Sequence, residues 1–223
     1  MARADESHEG PSWRHRAVSK SLNAARSRAE ERVQRLLDAA FDLIDERGTS
    51  EFTIQEVVER SKQSLRGFYQ YFEGKDELLF ALLEESIRES VTDLRDAAES
   101  QSEPLERLRA FTIRLHEWCE PIGKRRKRGA HNRLPLSEFS MQIAIKDPER
   151  VAAVTAPISR MLIELLDAAV AAGAIRVADT RRAALLVQQT VMYGWLMNRL
   201  VQSPRSRVTA EDAWQFCLRG LGG

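Results

Sequence analysis

The chain has 223 residues, of which 43% are hydrophobic, so it is long and apolar enough for one or two domains with a real core and is not intrinsically disordered. Its formal net charge is +1, which by itself argues neither for nor against a nucleic-acid partner. Two distant cysteines, the absence of an apolar run of membrane-spanning length and an N-terminus without a signal-peptide pattern predict a cytoplasmic protein that needs no membrane.

The front of the chain is polar and basic. Residues 1 to about 25 contain Gly and Pro and show no apolar period, so we predict a flexible arm there. Between residues 13 and 35 seven Arg or Lys side chains face two Glu, a local charge of +5.

Three helices are predicted next. The first carries one apolar face and ends at Gly48; its face consists of Val33, Leu36, Leu37, Ala40, Phe41 and Ile44. Thr53 and Glu56 have the spacing of a capping box, which predicts the start of a second, short helix. Ser64 can cap a third helix that ends before Gly74, so residues 53 to 72 form a helix, a three-residue turn and a helix.

The remainder of the chain is also predicted to be helical. A long fourth helix begins near Lys75, and further helices follow at Pro104, after the Asp147-Pro148 cap signal, at residues 180 to 201, and after Thr209 with Asp212 at the third helical position. Gly173 closes the helix that Pro148 opens, and residues 120 to 135 resemble a loop. The predicted fold class is all-α, with a small basic front part and a larger helical back part.

A helix-turn-helix suits DNA because its second helix fits the major groove. On the predicted third helix Phe68 and Phe72 are four residues apart and would pack inward, whereas Arg66, Tyr69 and Gln70 would lie on the other side. Arg pairs with guanine edges, Gln with adenine edges, and a Tyr hydroxyl can bind phosphate.

The run FTIQEVVERSKQSLRGFYQYFEGKDELL resembles the DNA-binding domain of the TetR-type transcriptional repressors. Gly48, Thr53, Ser64, the pairs Phe68-Tyr69 and Tyr71-Phe72, and the run from Lys75 to Leu78 match that family's motif in order and spacing. A weaker match, AAGAIRVADTRRAALLV, is similar to the stretch that leads into the family's dimerisation helix.

The resemblance implies an N-terminal three-helix helix-turn-helix domain and a C-terminal helical ligand-binding and dimerisation domain. The expected divisions are a basic arm at 1–25, the DNA-binding domain at 26–74 and the helical domain at 75–223. The resemblance further implies an Ω-shaped homodimer that binds a palindromic operator. The two recognition helices of this dimer would lie about 34–36 Å apart. A small molecule bound by the back domain would move the fourth helix and release the DNA.

Two positions depart from the family pattern in the turn. Lys62 stands where the family usually has Gly. Either this residue adopts a left-handed conformation at a cost of roughly 1 kcal/mol, or the turn has a different geometry. Gln63 follows where an apolar residue is usual.

The predicted DNA-contacting residues are Thr53, Ser64, Leu65, Arg66, Gly67, Tyr69, Gln70, Tyr71 and Lys75. The basic arm has two interpretations: Arg26 and Arg28 contact DNA, or the arm is a solvated tail.

Met and aromatic residues suit an adaptable apolar ligand site, and they predict an apolar effector, although ordinary helix packing would use the same residues. The candidate pocket residues are Phe111, Trp118, Phe139, Met141, Met161, Leu165 and Tyr193. The basic run from Lys124 to Arg128 is either a solvated loop or a grip for an anionic part of a ligand, such as the phosphates of an acyl-CoA.

Small and apolar residues in the last two helices make these helices the candidate dimer face, although a stripe buried within one chain has the same pattern. The candidate residues are Ala183, Val187, Val191, Gly194, Trp195 and Phe216.

Two other classes of function have less support in the sequence. An all-α enzyme would need a nucleophile with its base, a phosphate loop or a metal set, and the sequence contains none; we therefore expect no catalytic residues and no cofactor. His116 and Cys119 have ligand spacing on a helix, but no second pair completes a zinc site, and core packing is the preferred interpretation. The balanced net charge argues against a non-specific DNA-coating protein.

Overall fold

All regular secondary structure in the computed structural model, which describes residues 12–47, 49–119, 143–200 and 207–222, is helical. The chain divides into two compact units, Met1–Glu73 and Gly74–Gly223. The predicted all-α fold class is confirmed. Within the described residues, no helix has both the length and the apolar character needed to cross a membrane.

The first unit contains α1 (Trp13–Arg47), α2 (Ile54–Arg60) and α3 (Leu65–Phe68). The predicted apolar face of α1 is buried from Leu36 to Ile44, and it supplies much of the core of this unit. The ion pair of Arg47 with Glu56 and a two-bond pair of Arg60 with Glu46, at 2.6 and 2.8 Å, join the end of α1 to α2.

The first turns of α1 correct the prediction of a flexible arm at residues 1–25. Residues 1–11 lie outside the described part of the chain, but the helix already begins at Trp13. Between Trp13 and Arg32 no described side chain is buried. The prediction failed because apolar periodicity reports burial rather than helicity; this stretch has no internal Gly or Pro, and its Ala, Arg, Leu and Lys residues favour helix without packing.

The second unit contains α4 (Lys75–Glu99), α5 (Pro104–Cys119), α6 (Pro148–Ala171), α7 (Thr180–Leu200) and α8 (Ala210–Gly220). Their apolar faces meet in one core, whose fully buried members include Leu83, Leu94, Leu108, Phe111, Leu115, Leu162, Leu166 and Val191. Polar contacts between helices border this core: Trp118 donates to Asp93 at 2.7 Å, and Arg109 pairs with Glu211 at 2.7 Å.

The predicted helix boundaries in this unit are confirmed where caps define them. The Asp147 side chain accepts a hydrogen bond from the Arg150 amide at the start of α6, and Gly173, with φ 72°, ends the same helix. Thr209 and Asp212 form the capping box of α8. Gly48 and the predicted loop at 120–135, with its run from Lys124 to Arg128, lie outside the described residues.

Candidate nucleic-acid interface

The turn between α2 and α3 is built on a left-handed lysine. Lys62 has φ 56°, so of the two alternatives that the sequence left open the structure has the left-handed conformation. The Lys62 amide donates to the Glu59 carbonyl at 3.2 Å, and the Gln63 amide donates to the Val58 carbonyl at 2.9 Å. These two bonds form a Schellman motif, which terminates α2 and turns the chain toward α3.

The second departure from the family pattern, Gln63, has a contact that the sequence did not indicate. Its side-chain amide donates a 2.6 Å hydrogen bond to the backbone carbonyl of Arg32 in α1. The residue therefore fixes the turn against α1, where an apolar residue would have done so by packing.

The aromatic residues after Ser64 divide as the spacing predicted. Phe68 and Phe72 are buried, and their rings lie 5.5 Å apart. Tyr69 is 54% exposed, and its ring meets Phe68 edge-on at 5.3 Å. Tyr71 is half-buried, whereas the remaining exposed residues of this segment are Ser64, Leu65, Arg66 and Gln70. One side of α3 thus holds the segment to its unit and the other side faces solvent.

The third helix is shorter than predicted. It spans Leu65–Phe68, with Tyr69 as the C-cap, and the chain continues as a turn in which the Tyr71 amide donates to the Phe68 carbonyl at 2.9 Å. The prediction of a helix to residue 72 overestimated the helix propensity of this segment, because Gly67 and the following aromatic residues are weak helix formers.

Gly67 serves the cap of α3. Its amide donates to the Ser64 hydroxyl at 3.0 Å, and a Cβ atom at position 67 would lie only 3.2 Å from that oxygen. A side chain here would push the capping hydroxyl away. The two other predicted contact residues lie outside this segment: Thr53 caps α2 through its hydroxyl, and Lys75 is the first residue of α4 in the second unit.

A polar cleft of about 390 Å³ lies between α1, the turn and α3. We call it the basic cleft; its lining residues are Arg32, Arg35, Lys62, Gln63, Ser64, Arg66, Gly67 and Gln70. Among the described residues, none of its four cationic side chains is within ion-pair distance of a carboxylate. The cleft therefore presents four uncompensated positive charges, which favours an anionic partner.

Arg32, Arg35 and Lys62 are not among the DNA-contacting residues predicted from the sequence. A signal was present, because Arg28, Arg32 and Arg35 recur at i, i+4 and i+7 and so share one face of a helix.

The two predicted arm residues differ in their surroundings. Arg26 is exposed and forms a 2.7 Å ion pair with Glu30, four residues further along α1. Arg28 is exposed and has no ion pair with any residue that the structure describes.

The predicted pocket residues in the second unit do not form one cavity. Phe111, Trp118 and Leu165 are buried in the helical core, Met161 packs against it, and Phe139 and Met141 lie outside the described residues. Tyr193 is half-exposed and lines a mainly apolar cavity of about 360 Å³ between α6 and α7. The other lining residues are Ala144, Val151, Ala152, Thr155, Ser159, Leu185, Gln188, Gln189 and Met192.

Most of the residues predicted to form the dimer face do not lie on a free surface. Ala183, Val187 and Val191 are buried in the core of their own chain, and a Cβ at Gly194 would meet His116 of α5 at 3.9 Å. Their regular spacing therefore reflects packing within the chain, which is the alternative that the sequence left open. The side chain of Trp195 lies outside the part of the chain that the structure describes. Phe216 is 70% exposed, and the opposite face of α7 exposes Leu185, Leu186, Tyr193 and Met197.

His116 and Cys119 are both buried in α5. Across the described ranges, no three His, Cys, Asp or Glu side chains are grouped as a metal site requires.

Comparison with known proteins finds a family match over part of the chain. The family model of bacterial regulatory proteins, tetR family, matches residues 36–82, which include the end of α1, α2, the turn and α3. The transcriptional regulator BetI of Brucella canis is 33% identical over 80 residues, which are 36% of this chain and 40% of BetI. The chain thus matches less than half the length of this relative.

Solved structures resemble the fold over most of the chain. AibR, solved with isovaleryl coenzyme A and operator DNA, gives a TM-score of 0.58 at 22% identity and covers 85% of this chain and 97% of AibR. FadR of Bacillus subtilis, solved with stearoyl-CoA, gives a TM-score of 0.64 at 16% identity and covers 84% of this chain and 98% of FadR. With the motif and the family match together, residues 36–82 are similar to the tetR family of bacterial regulatory proteins, and the solved structures show a related helical fold over most of the chain.

Proposed function

We propose that the protein is a homodimeric transcriptional repressor that binds a palindromic operator and is released from it by a small, largely apolar effector. The observation that carries this proposal is the division of the segment after Ser64, where Phe68 and Phe72 are buried while Arg66, Tyr69 and Gln70 face solvent. A helix that is buried on all sides would not expose its hydrogen-bonding side chains together on one face. A regulator of this kind would work in the cytoplasm, where the DNA is.

Each exposed side chain has a role in this proposal. Arg66 would read guanine and Gln70 adenine in the major groove, and Tyr69 would donate its hydroxyl to a phosphate. The contact would be completed at the DNA backbone and at the methyl group of thymine by Ser64, Leu65, Gly67 and Tyr71. Thr53 and Lys75 would bind phosphates.

The test of DNA recognition begins with selection of bound duplexes from a random pool by the wild-type protein. We expect a short palindromic sequence, and a footprint limited to it. Uniform coverage of DNA without a preferred sequence would contradict the repressor and favour a non-specific binder.

Arg66→Ala then tests the base-reading role. Loss of one bidentate contact costs about 1–3 kcal/mol and relaxes the preference at one position of the operator. The matched control is Arg60→Ala, since Arg60 is held by Glu46. If Arg66→Ala binds the selected duplex with unchanged preference, Arg66 does not read bases.

The homodimer is supported by the exposed apolar side chains of α7 and α8. Leu186 and Phe216, which are 65% and 70% exposed, line one groove of about 600 Å³ together with parts of the loop before α7. We expect Leu186→Glu to convert a dimer into a monomer in sedimentation analysis. The control is Ile145→Glu, which changes an 85% exposed residue elsewhere in the unit. A wild-type monomer at micromolar concentration would contradict the proposed dimer.

The effector site is proposed at the cavity between α6 and α7. Its lining is mainly apolar, with polar groups supplied by Ser159 and Gln188, which share a 3.0 Å hydrogen bond. AibR and FadR were solved with acyl-CoA ligands, so acyl-CoA esters are the first compounds to screen. Stabilisation of the wild type against heat by such a compound, and its loss in Ala152→Trp, would support the site.

The first turn of α6 and the residues just before it contact the start of α4. Lys146 pairs with Asp76 at 2.7 Å, and the Arg150 guanidinium lies 3.5 Å from the centre of the Phe80 ring. Ala144, Val151 and Ala152, from the same segment, line the cavity. An effector that displaced this segment would therefore act on the first turns of α4, the helix that directly follows the DNA-binding unit in the chain.

A further inference from the structure

We propose that the helical extension of α1 is a second DNA-binding element, which contacts the phosphate backbone through Arg28, Arg32 and Arg35. We call these three residues the α1 basic face. The inference rests on the proposed DNA-binding function and adds residues that lie before the matched family region at 36–82.

The first step is the continuity of the helix. Because α1 runs from Trp13 to Arg47 as one helix, the position of Arg28 is fixed relative to the core residues that anchor α1 from Leu36 onward. In a flexible arm the same charges would have no defined direction.

The second step is the common face. Arg28, Arg32 and Arg35 follow at i, i+4 and i+7, so their side chains leave the helix on one side and span about 10 Å along its axis. Arg26 is two residues before Arg28 and therefore lies about 200° around the helix, away from this face.

The third step is the join to the recognition segment. Arg32 and Arg35 line the basic cleft together with Lys62 and Arg66. The Gln63 side chain holds the turn to the carbonyl of Arg32 at 2.6 Å, so the α1 basic face and α3 have a fixed relation within one unit. The positive surface thus extends from α3 across the cleft and along α1.

The fourth step is the charge balance. No ion pair with a described residue neutralises Arg28, Arg32 or Arg35. Glu31, four residues before Arg35, and Asp38, three residues after it, are acidic neighbours of this face, and neither forms an ion pair with Arg35 among the described residues. Arg26, in contrast, is already paired with Glu30 at 2.7 Å.

A polyanion with regularly spaced charges is the partner that fits a row of unpaired Arg side chains, and duplex DNA already lies at α3 in the proposed function. Phosphate contacts release condensed counterions, so each of them adds about 0.9 to the slope of log affinity against log salt concentration. They carry no direct sequence information.

The experiment compares Arg28→Gln with Arg26→Gln. Both substitutions remove one positive charge from the same helix and keep a good helix former, so their effect on net charge is equal. Binding of the full-length variants to the duplex selected by the wild type is measured by fluorescence anisotropy from about 50 to 200 mM salt.

Because each of the two protomers loses one contact, we expect Arg28→Gln to lower the salt slope of the dimer by about 1.8 and to weaken binding about 25- to 100-fold near 0.1 M salt, with unchanged sequence preference. Arg35→Gln should act in the same way, and Arg28→Lys should restore the slope. Arg26→Gln should leave the slope at the wild-type value.

Equal salt slopes for Arg28→Gln and Arg26→Gln would overturn the inference, whether both fall or neither does. That result is distinct from failure of the proposed function, in which the wild type selects no duplex at all. Thermal unfolding of each variant verifies that the comparison is made between folded proteins.

Discussion

The side chain of Gln63 donates a hydrogen bond to the backbone carbonyl of Arg32 across a sequence distance of 31 residues. The bond joins the turn before α3 to the helix that presents the α1 basic face. This amide side chain therefore helps to fix the relative position of both proposed DNA-contacting elements.

Gln63→Ala tests this bond. Removal of one hydrogen bond of a polar side chain lowers the free energy of unfolding by about 1 kcal/mol, and the looser turn should also weaken operator binding. Urea denaturation measures the first effect. Gln70→Ala is the matched control, because Gln70 is exposed and should change the stability by less than about 0.5 kcal/mol. An equal loss in the free energy of unfolding in the two variants would show that the bond to Arg32 contributes nothing to stability.

The adjacent Lys62 should separate stability from DNA binding. Its φ of 56° is unfavourable for a side chain with a Cβ atom, so Lys62→Gly should raise the free energy of unfolding by about 0.5–1 kcal/mol. The same variant removes one cation of the basic cleft and should weaken DNA binding. Lys62→Asn is the control, since Asn tolerates the left-handed region at intermediate cost. A destabilised Lys62→Gly protein would disprove the proposed strain.

Local signals explain what the sequence predicted well. The capping pairs Thr53 with Glu56 and Thr209 with Asp212 contain all their partners within four residues, so the helix starts followed directly. The left-handed turn at Lys62 and the burial of Phe68 also depend on short spacings.

The features that the sequence did not predict depend on contacts between residues far apart in the chain. The spacing of Ala183, Val187 and Val191 identifies a buried stripe but does not specify whether the same chain or a second copy covers it. The bond of Gln63 to Arg32 has no local pattern, and without it the cleft that joins α1 to α3 was not predicted. The first turns of α1 lack a buried face, so periodicity could not detect them.

Glu56 gives the first unit a specific dependence on pH. A hydrogen bond from the Arg47 guanidinium, followed by bonds from the backbone and hydroxyl of Thr53, lowers the pKa of Glu56 from 4.5 to about 2. Because the pKa is lower in the folded than in the unfolded chain, this carboxylate stabilises the fold above pH about 4.5, and the contribution is lost as the pH falls toward 2.

Glu56→Gln should therefore lower the Tm at neutral pH and make it less sensitive to pH between about 4.5 and 2. The Tm is measured by circular dichroism across that range. Glu51→Gln, at an exposed carboxylate in the preceding loop, serves as the control and should keep the wild-type slope. If Glu56→Gln retains the full acid dependence, other carboxylates are responsible for it.

Arg150 connects the effector cavity to α4 in a way that hydrogen exchange can test. Its guanidinium covers the buried ring of Phe80, and a contact of this kind contributes about 1 kcal/mol. Arg150→Ala should increase amide exchange in the first turns of α4, residues 75–83, by about fivefold while the end of that helix is unchanged. Lys146→Ala should have a smaller effect, since both partners of its ion pair with Asp76 are exposed.

Arg160→Ala supplies the matched comparison, because Arg160 is exposed on the same helix and makes no ion pair with the described residues. Its exchange pattern should equal that of the wild type. If an acyl-CoA ester binds the cavity, its effect on exchange at residues 75–83 should also be smaller in Arg150→Ala, since the contact that transmits the displacement is gone. An effector response that is as large in Arg150→Ala as in the wild type would place the route to α4 elsewhere in the helical core.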